Sequence, residues 1–494
     1  MGRDMISLKK VPAGNIVGIK GLDGHLLKSG TLVNTGTLGI NLATRGMTSP
    51  PIVKVALEPE NPTQMDKLEK GLELLNQADP CVKTYVQGTG EHILATAGEL
   101  HLERCLKDLR ERFAGIEISS SKPVIPYRET IVVNMDSKPD PSRGTQELVL
   151  GKYKIIFQTV PLPTKVTEYL MHNTKNIAGF EKQIGKGDQN DKDEAGDSTN
   201  IKIDEAEGDE LDDNGIQQSR VISMDEFTDK LGKLFHGTEN LKNRENVFVW
   251  SSDMVNRISS FGPKNKGPNI FFDSEKHDVR RIFDKSCSKQ RFEYPFSLLS
   301  GFQLATSAGP LAAEQMQGVA VFLKDIIDIS SESDGKVSEV ANLAGRLISS
   351  TRDMIHKGFR EWSPRIMLAM YTCDIQAATE VLGKVYAVVQ KRRGSVVKEE
   401  LKEGTSFFTV TAKIPVVEAF GFSEEIRKRT SGAASPQLVF SGFESIDEDP
   451  FWVPTTEEEL KELGEFADRE NVARRYMNSI RKRKGLFVDE KVVQ

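Results

Sequence analysis

The sequence is poor in cysteine and contains no long apolar run. Its 494 residues include only four cysteines, far apart and without a CxxC pair: Cys81, Cys105, Cys287 and Cys373. This usage excludes a disulfide scaffold and predicts reduced thiols in the cytosol. No apolar segment approaches the roughly 20 residues that cross a bilayer, and the first residues show no secretory signal. The sequence therefore predicts a cytoplasmic protein without a membrane segment.

Nucleotide-binding motifs are also missing. The sequence has no GxxxxGK[ST] phosphate loop and no Asn-Lys-x-Asp base-reading motif. Residues 212–215 fit a DxxG pattern, but they lie in a strongly acidic stretch and we treat the match as coincidence. Nucleotide phosphates need a cradle of backbone N–H groups and a lysine. This chain alone is therefore predicted to bind no cofactor and to hydrolyse no GTP.

Charge is unevenly distributed along the chain. The net charge is −6, but residues 188–213 hold twelve acids and two lysines, so the remaining residues sum to +4. This stretch has too few apolar side chains to offset its ordering entropy, and an insertion at about 182–245 is predicted to be disordered. The mild positive charge of the other residues is typical of a protein that binds a polyanion through part of its surface.

The hydrophobic periodicity predicts an α+β multidomain chain, and its length suits three or four domains. Residues 1–48 are glycine-rich, with short strands at Asn15–Ile19 and Gly30–Asn34, and indicate the C-terminal part of a β-barrel whose front half is missing. Residues 49–121 follow the order βαββαβ, which is the ferredoxin-like arrangement. Their helices are predicted after Asn61 and at 98–113.

Residues 122–362 are predicted to form an intervening α+β domain that contains the acidic insertion. Its predicted elements are a strand at 152–160, a helix near 165–175, a strand at 318–323 and a long helix at 336–361. Residues 363–450 repeat the ferredoxin-like βαββαβ order. The repeat begins with a strand at 366–372 and a helix at 376–392, and residues 451–494 form a C-terminal helical arm with a helix at about 456–484.

Four ordered groups of segments resemble the elongation factor 2 family of translation GTPases. The most specific, Gly90–Leu109, resembles the third domain of that family. The others are Val11–Gly18 for the second-domain barrel, Phe261–Pro263 with Gly267–Ile270 and Gly301–Thr306 for the fourth domain, and Lys391–Gly394, Ala419–Phe422 and Thr430–Ala433 for the fifth. The resemblance implies that the predicted domains are domains II to V, and that the GTP-binding domain is a missing N-terminal one.

Within this family, the chain resembles the elongation factor-like GTPase 1 branch. The similarity rests on the tail Asn471–Lys491, on Leu75–Cys81 and on the acidic insertion. Where a translocase has a histidine-bearing tip loop, Ile326–Lys336 contains no histidine.

The branch implies late maturation of the large ribosomal subunit. GTP hydrolysis with Mg²⁺ in the missing domain would drive release of the anti-association factor, initiation factor 6, together with the Shwachman–Bodian–Diamond syndrome protein. The expected partners of this chain, as a monomer, are the subunit and its RNA. By its place in the family, the loop at 328–335 is a further candidate contact point.

Three basic groups are candidate RNA contacts. They are Lys391, Arg392 and Arg393; Arg427, Lys428 and Arg429; and Arg474, Arg475, Arg481, Lys482, Arg483 and Lys484. Phosphate contacts release counterions, so affinity should fall steeply with salt. A solvated helix face is an equal alternative for the first two groups, whereas the tail, with six cations in eleven residues and no acid, favours contact. No aromatic platform accompanies them, which favours recognition of RNA shape and backbone.

A metal site or an acid–base pair could be built around one histidine-containing helix. His101 and Cys105 lie one turn apart, near His92 and Glu99. Zinc sites usually present paired cysteines or several histidines, and Cys105 falls on the buried stripe. A carboxylate in the first helical turn is favoured by the helix dipole, which accounts for Glu99. We therefore predict no metal ligand and no catalytic residue.

Two other functions remain open. One is a translocase of the elongation factor 2 type, or its spliceosomal relative, although the histidine-free tip argues against it. The other is a free-standing RNA-binding adaptor without GTPase activity. An upstream reading frame that encodes a phosphate loop in the same transcript would exclude the adaptor.

Overall fold

The computed structural model divides the chain into two compact units, residues 1–124 and 125–494. The residues that the structure describes are 6–22, 26, 30–34, 51–87, 90–133, 140–181, 222–239, 250–274, 277–278, 282–283, 290–329, 342–402, 404–453 and 470–488. Across these residues, every helix is too short or too polar to span a lipid bilayer.

The predicted barrel strands are not formed. Asn15–Ile19 and Gly30–Asn34 carry no strand, and apolar side chains such as Ile16 and Val33 are exposed. A strand needs a neighbour that completes its hydrogen bonds, and no described residue between 6 and 34 provides one. The prediction of strands at these two positions is therefore wrong, whereas the assignment of residues 1–48 to a barrel domain stays a prediction.

The first unit contains the βαββαβ arrangement in the predicted order. Its elements are β1 (Val53–Pro59), α1 (Met65–Ala78), β2 (Lys83–Val86), β3 (His92–Thr96), α2 (Glu99–Asp108) and β4 (Ile118–Ser120). The sheet order is β2-β3-β1-β4 with antiparallel pairs. Asn61 accepts the N–H of Thr63 at 3.1 Å at the start of the turn that leads into α1, as its predicted cap role requires. Helix α2 is shorter than predicted because its last turn widens into a π turn at Leu109–Phe113.

A five-stranded sheet organises the middle of the second unit. Its part of the chain contains β5 (Tyr127–Val132), β6 (Thr145–Leu150), β7 (Tyr153–Pro161), α3 (Thr164–His172), α4 (Met224–Glu239), β8 (Ile258–Gly262), β9 (Asn269–Phe272), β10 (His277–Asp278), β11 (Gln290–Arg291), α5 (Pro295–Ser307), β12 (Gln315–Met316), β13 (Val319–Asp328) and α6 (Leu343–Glu361). The order is β6-β7-β13-β9-β8, with α5 and α6 packed on each other and α6 against β6 and β7. Helix α6 begins at Leu343, because Asn342 has φ 57° and caps Gly345; the predicted first residues, 336–341, lie outside the described residues.

Helix α4 lies inside the segment that was predicted to be disordered. Phe227, Leu231 and Phe235 recur every four residues and are fully buried. Phe235 stacks on Trp250 with ring centroids 5.3 Å apart. Each such burial contributes roughly 1.5–3 kcal/mol towards holding the helix against the core. The prediction of disorder is therefore wrong for 224–239, while the acidic stretch at 188–213 lies outside the described residues.

The last part of the chain repeats the βαββαβ order around one long strand. Its elements are β14 (Ser363–Ala378), α7 (Leu382–Lys391), β15 (Ser395–Leu401), β16 (Phe407–Pro415), α8 (Phe422–Arg429), β17 (Ala434–Ser445) and α9 (Val472–Arg483). Strand β14 continues beyond the predicted end at residue 372, because β16 and β17 pair with both of its edges as far as residue 377. The helix predicted from residue 376 therefore begins only at Leu382. Helix α9 begins at Val472; the predicted arm between 456 and 469 lies outside the described residues.

The second sheet joins both parts of the second unit. Strand β14 pairs with β17 on one edge, and with β5 and then β16 on the other. The resulting order is β12-β5-β14-β16-β15. One continuous hydrophobic core extends from Tyr127 to Ile480. Strands from the predicted intervening domain thus share a sheet with the predicted C-terminal domain.

Candidate nucleic-acid interface

The C-terminal helix α9 is attached to the sheet through its apolar face and its N-terminus. Ala473, Met477 and Ile480 are buried. Asn471 caps the helix by accepting the N–H of Arg474 at 2.7 Å. The carboxylate of Glu448 accepts the N–H of Val472 at 3.0 Å, which satisfies a second exposed amide at that end.

Three of the six predicted tail cations attach α9 to the loop at 309–314. Arg481 Nε donates to the carbonyl of Leu311 at 2.6 Å, and Lys484 Nζ donates to that of Ala313 at 2.5 Å. Glu314 pairs with Lys484 at 2.8 Å and with Arg483 at 3.8 Å. These three side chains therefore serve an intramolecular contact that the sequence analysis did not anticipate.

Tyr476 is the central contact of α9. Its hydroxyl donates to Glu418 Oε1 at 2.6 Å. Its ring lies 6.4 Å from that of Tyr127, and the guanidinium of Arg393 lies 5.7 Å from the ring centroid. Burial, together with the Glu418 carboxylate, raises the pKa of Tyr476, so the hydroxyl remains a proton donor at any pH the protein meets.

Replacement of Tyr476 by phenylalanine is expected to lower the free energy of unfolding by about 1–2 kcal/mol, because Glu418 loses a charge-assisted hydrogen bond. Denaturant unfolding of both proteins measures the change. The exposed Ser479, on the same helix, gives the control: Ser479→Ala should leave the midpoint unchanged. An unchanged midpoint for the tyrosine variant would show that this bond does not hold the helix.

The groups at 391–393 and 427–429 come together around one carboxylate. Glu425 is bound by Lys391 at 2.7 Å, by Arg392 at 2.8 Å and by Arg429 at 3.2 Å. Hydrogen bonds from Lys391 and Arg392 lower the pKa of Glu425 to about 2. Arg392 also donates to the carbonyls of Glu418 and Phe420, at 3.1 and 2.8 Å. Arg392 is therefore a structural link between α7 and α8.

An open depression of about 490 Å³ lies beside these ion pairs. Its lining residues are Arg392, Gly421, Glu424, Glu425, Lys428 and Arg429. Lys428 pairs with Glu424 at 2.7 Å, so both carboxylates in the lining are already neutralised by cations. Charges of both signs alternate across the depression, which does not suit a dedicated anion pocket.

Three of the predicted contact residues are exposed and form no ion pair with a residue that the structure describes. Arg393, after the end of α7, has φ 54° and lies over Tyr476. Arg427 Nε donates to the carbonyl of Ser423 at 3.2 Å. Arg475 is exposed on α9. Arg474 is instead half-buried and lies 3.9 Å from Glu470.

Glu129 is a buried carboxylate that lies in no recognisable sequence motif. It is fully buried and accepts the N–H groups of Leu311, Ala312 and Glu314 at 2.7, 2.8 and 2.9 Å. Burial raises its pKa to about 7, against the lowering effect of these hydrogen bonds. The loop at 309–314 thus directs its amides inward to Glu129 and its carbonyls outward to α9. Only the paired glycine and proline at 309–310 marked this loop in the sequence.

The histidine of α2 belongs to a local hydrogen-bond chain. Donor atoms of Asp79, His101 and Cys105 lie within 4.8 Å of one another. The backbone N–H of Ala97 donates to His101 Nδ1 at 3.1 Å, so the proton of a neutral ring lies on Nε2, which is 2.9 Å from Asp79 Oδ2. A metal at Nε2 would need the opposite tautomer. Burial and Asp79 also raise the pKa of the Cys105 thiol to about 12. The geometry favours a structural histidine.

The other two residues that the sequence grouped with His101 have separate positions. His92 lies in β3, with Nε2 3.6 Å from Glu69 Oε1. Glu99 is the first residue of α2, as the helix-dipole argument requires. Neither of them belongs to the cluster of donor atoms around His101.

Family models match three segments in the order that the fold presents. Residues 48–121 match "Elongation Factor G, domain III", residues 158–274 match "Elongation factor-like GTPase 1-like domain", and residues 366–452 match "Elongation factor G C-terminus". The chain belongs to the elongation factor family. The domain III match coincides with the first βαββαβ sheet, and the C-terminal match coincides with the second. The predicted resemblance to this family is confirmed.

Similar proteins match along the whole length of this chain. Ribosome assembly protein 1 of Saccharomyces cerevisiae is 50% identical over 504 residues, and that of Schizosaccharomyces pombe is 46% identical over 506 residues. Elongation factor-like GTPase 1 of Homo sapiens is 38% identical over 576 residues. Each match covers 100% of this chain but only 43%, 48% and 48% of the respective relatives. The chain thus spans less than half the length of these relatives.

Proposed function

We propose that this chain is the ribosome-binding portion of a GTPase that acts in late cytoplasmic maturation of the large ribosomal subunit. GTP and Mg²⁺ would bind to a domain outside this chain, and hydrolysis there would be coupled to release of initiation factor 6, with the Shwachman–Bodian–Diamond syndrome protein as a partner. The proposal is supported by elongation factor domains in their family order and by relatives named for ribosome assembly. The chain has no phosphate loop, so it should hydrolyse no GTP alone.

We propose that the RNA contact is made by exposed cations that form no ion pair with a described residue, and we assign it to Arg393, Arg427 and Arg475. Side chains that already bind a carboxylate, such as Arg392 and Lys484, would have to exchange one ionic partner for another and would gain little from a phosphate. Each remaining cation can neutralise one phosphate and release its counterion.

Co-sedimentation with purified large subunits at a series of salt concentrations tests this function. The wild-type chain should bind at low salt, with a steep fall in affinity as salt rises. Replacement of Arg427 and Arg475 by alanine should reduce the slope of log affinity against log salt by about 2, because two phosphate contacts are lost. The matched control removes two exposed lysines elsewhere in the second unit, Lys165 and Lys233.

The control variant should bind as the wild type does. If the wild-type chain fails to co-sediment at low salt, the ribosomal function is wrong. If it binds but the Arg427 and Arg475 variant keeps the full slope, the function stands and the assigned contact is wrong.

A further inference from the structure

The exposed side chains at the end of helix α6 are all charged. Among residues 352–361, the exposed ones are Arg352, Asp353, Lys357, Arg360 and Glu361. Helix α5, which packs against α6, contains no charged residue. The electrostatic character of this helix pair is therefore set by the charges at the end of α6.

Both carboxylates of this surface already have partners. Arg352 donates from Nε and Nη2 to Asp353 Oδ1, at 3.0 and 2.9 Å. Glu361 Oε2 accepts the N–H of Gly144 at 2.7 Å, and its Oε1 accepts a hydrogen bond from the side-chain amide of Gln146. The acidic groups are thus bound within the second unit and do not pair with the remaining cations of the helix.

Two cations at the end of α6 have no such partner. Lys357 and Arg360 are exposed and form no ion pair with a residue that the structure describes. Arg360 Nη2 donates to the carbonyl of Pro310 at 3.4 Å, and this uncharged acceptor leaves the positive charge and the other N–H groups of the guanidinium available. Burial, together with the charges of Arg352 and Arg360, lowers the pKa of His356, as expected beside a cationic surface.

The loop at 309–314 connects this surface to helix α9. Its carbonyl oxygens accept a donor from α6 at Pro310 and donors from α9 at Leu311 and Ala313. A carbonyl orients a cation without neutralising it. The only carboxylate in the loop sequence, Glu314, is bound by Lys484 at 2.8 Å. The loop therefore holds cations of two helices and adds no unpaired acid beside them.

The residue types at this surface indicate the kind of partner. A protein interface is usually centred on a buried aromatic or aliphatic anchor, and the exposed residues at the end of α6 include none. An RNA backbone needs only cations within reach of its phosphates, and a guanidinium can bind two phosphate oxygens at once. We propose that the end of α6 is a second RNA contact of this protein, in which Lys357 and Arg360 bind backbone phosphates. This inference rests on the proposed ribosomal function.

Co-sedimentation of a double variant with purified large subunits tests the proposal. Lys357→Ala with Arg360→Ala should lower the affinity about tenfold at low salt and reduce the log–log salt slope by about 2. Its unfolding midpoint should equal that of the wild type, because both side chains are exposed. The matched control, Arg352→Ala with Asp353→Ala, removes two exposed charges from the same helix without a change in net charge. It should keep the wild-type affinity and slope.

Two further measurements identify the partner as RNA. Lys357→Arg with Arg360→Lys keeps both charges and should bind as the wild type does. Ultraviolet cross-linking of the bound wild-type chain, followed by nuclease and protease digestion, should leave a ribonucleotide on a peptide that contains Lys357 or Arg360. If the alanine variant binds more weakly but this segment acquires no ribonucleotide, the partner is an acidic protein surface and the RNA contact is overturned.

Failure of this contact differs from failure of the proposed function. If the wild-type chain binds at low salt and the alanine variant folds and keeps the wild-type affinity and slope, the contact at α6 is wrong and the ribosomal function stands. If the wild-type chain itself does not bind at low salt, both are wrong.

Discussion

Replacement of Phe235 by alanine should lower the free energy of unfolding by about 3–5 kcal/mol, as is usual for truncation of a buried aromatic side chain. Phe235 is fully buried, stacks on Trp250 and meets Phe272 edge-on, with ring centroids 6.2 Å apart. Denaturant unfolding of the wild-type and variant chains measures the loss.

Phe296 provides a matched control, because it is the same residue type on helix α5 but 66% exposed. Phe296→Ala should change the free energy of unfolding by no more than about 0.5 kcal/mol. Equal effects of the two substitutions would mean that α4 does not pack into the core. The disordered insertion would then extend over about 182–245, as the sequence composition predicts.

The stability of the second unit should fall as pH rises from about 5 to 8, because of Glu129. The pKa of this carboxyl group is about 7 in the folded chain and 4.5 in its ordinary state. Between these values the folded chain holds a proton that the unfolded chain releases, so protonation favours folding on the acidic side. The loss across this window is about 3 kcal/mol, since each pKa unit corresponds to about 1.4 kcal/mol.

Glu129→Gln isolates this contribution. The amide has the same shape and does not titrate, so the variant should lack the Glu129 part of the pH dependence while other groups, such as His356, titrate in both proteins. The measurement is the difference in unfolding free energy between pH 5 and pH 8 for each protein. If the two differences are equal, Glu129 does not titrate in this range.

The sequence correctly predicted the secondary-structure elements that depend on short-range patterns of residues. The stripe of Leu68, Leu72 and Leu75 identified α1, because its periodicity alone determines which face is buried. Helix α4 was missed because its short apolar face lies in the same segment as the acid-rich residues, and the composition of the whole segment predicted disorder. The end of β14 was missed because Thr372–Ala378 is held as a strand by β16 and β17, which lie 30 to 70 residues further along the chain.

In the candidate site, too, features that depend on neighbouring residues were predictable, and contacts between distant residues were not. Residue type and clustering selected the three groups of cations, since helix ends rich in arginine and lysine are visible in the sequence, and their contact with RNA stays a prediction. Their partners were not visible, because Glu314 lies 170 residues from Lys484, and Glu425 lies more than 30 residues from Lys391. Glu129 carries no motif at all. Its role depends on three backbone amides that only the folded loop brings together.

Strand β14 determines how the second unit can respond to force. It is 16 residues long, or about 50 Å, and pairs with β5 over its first six residues and with β16 from Met370 onward. A hinge at its middle would have to break ladder hydrogen bonds to β17 at the same time. A force applied to β5 and β12 should therefore be transmitted to β15 and β16 without bending of the sheet.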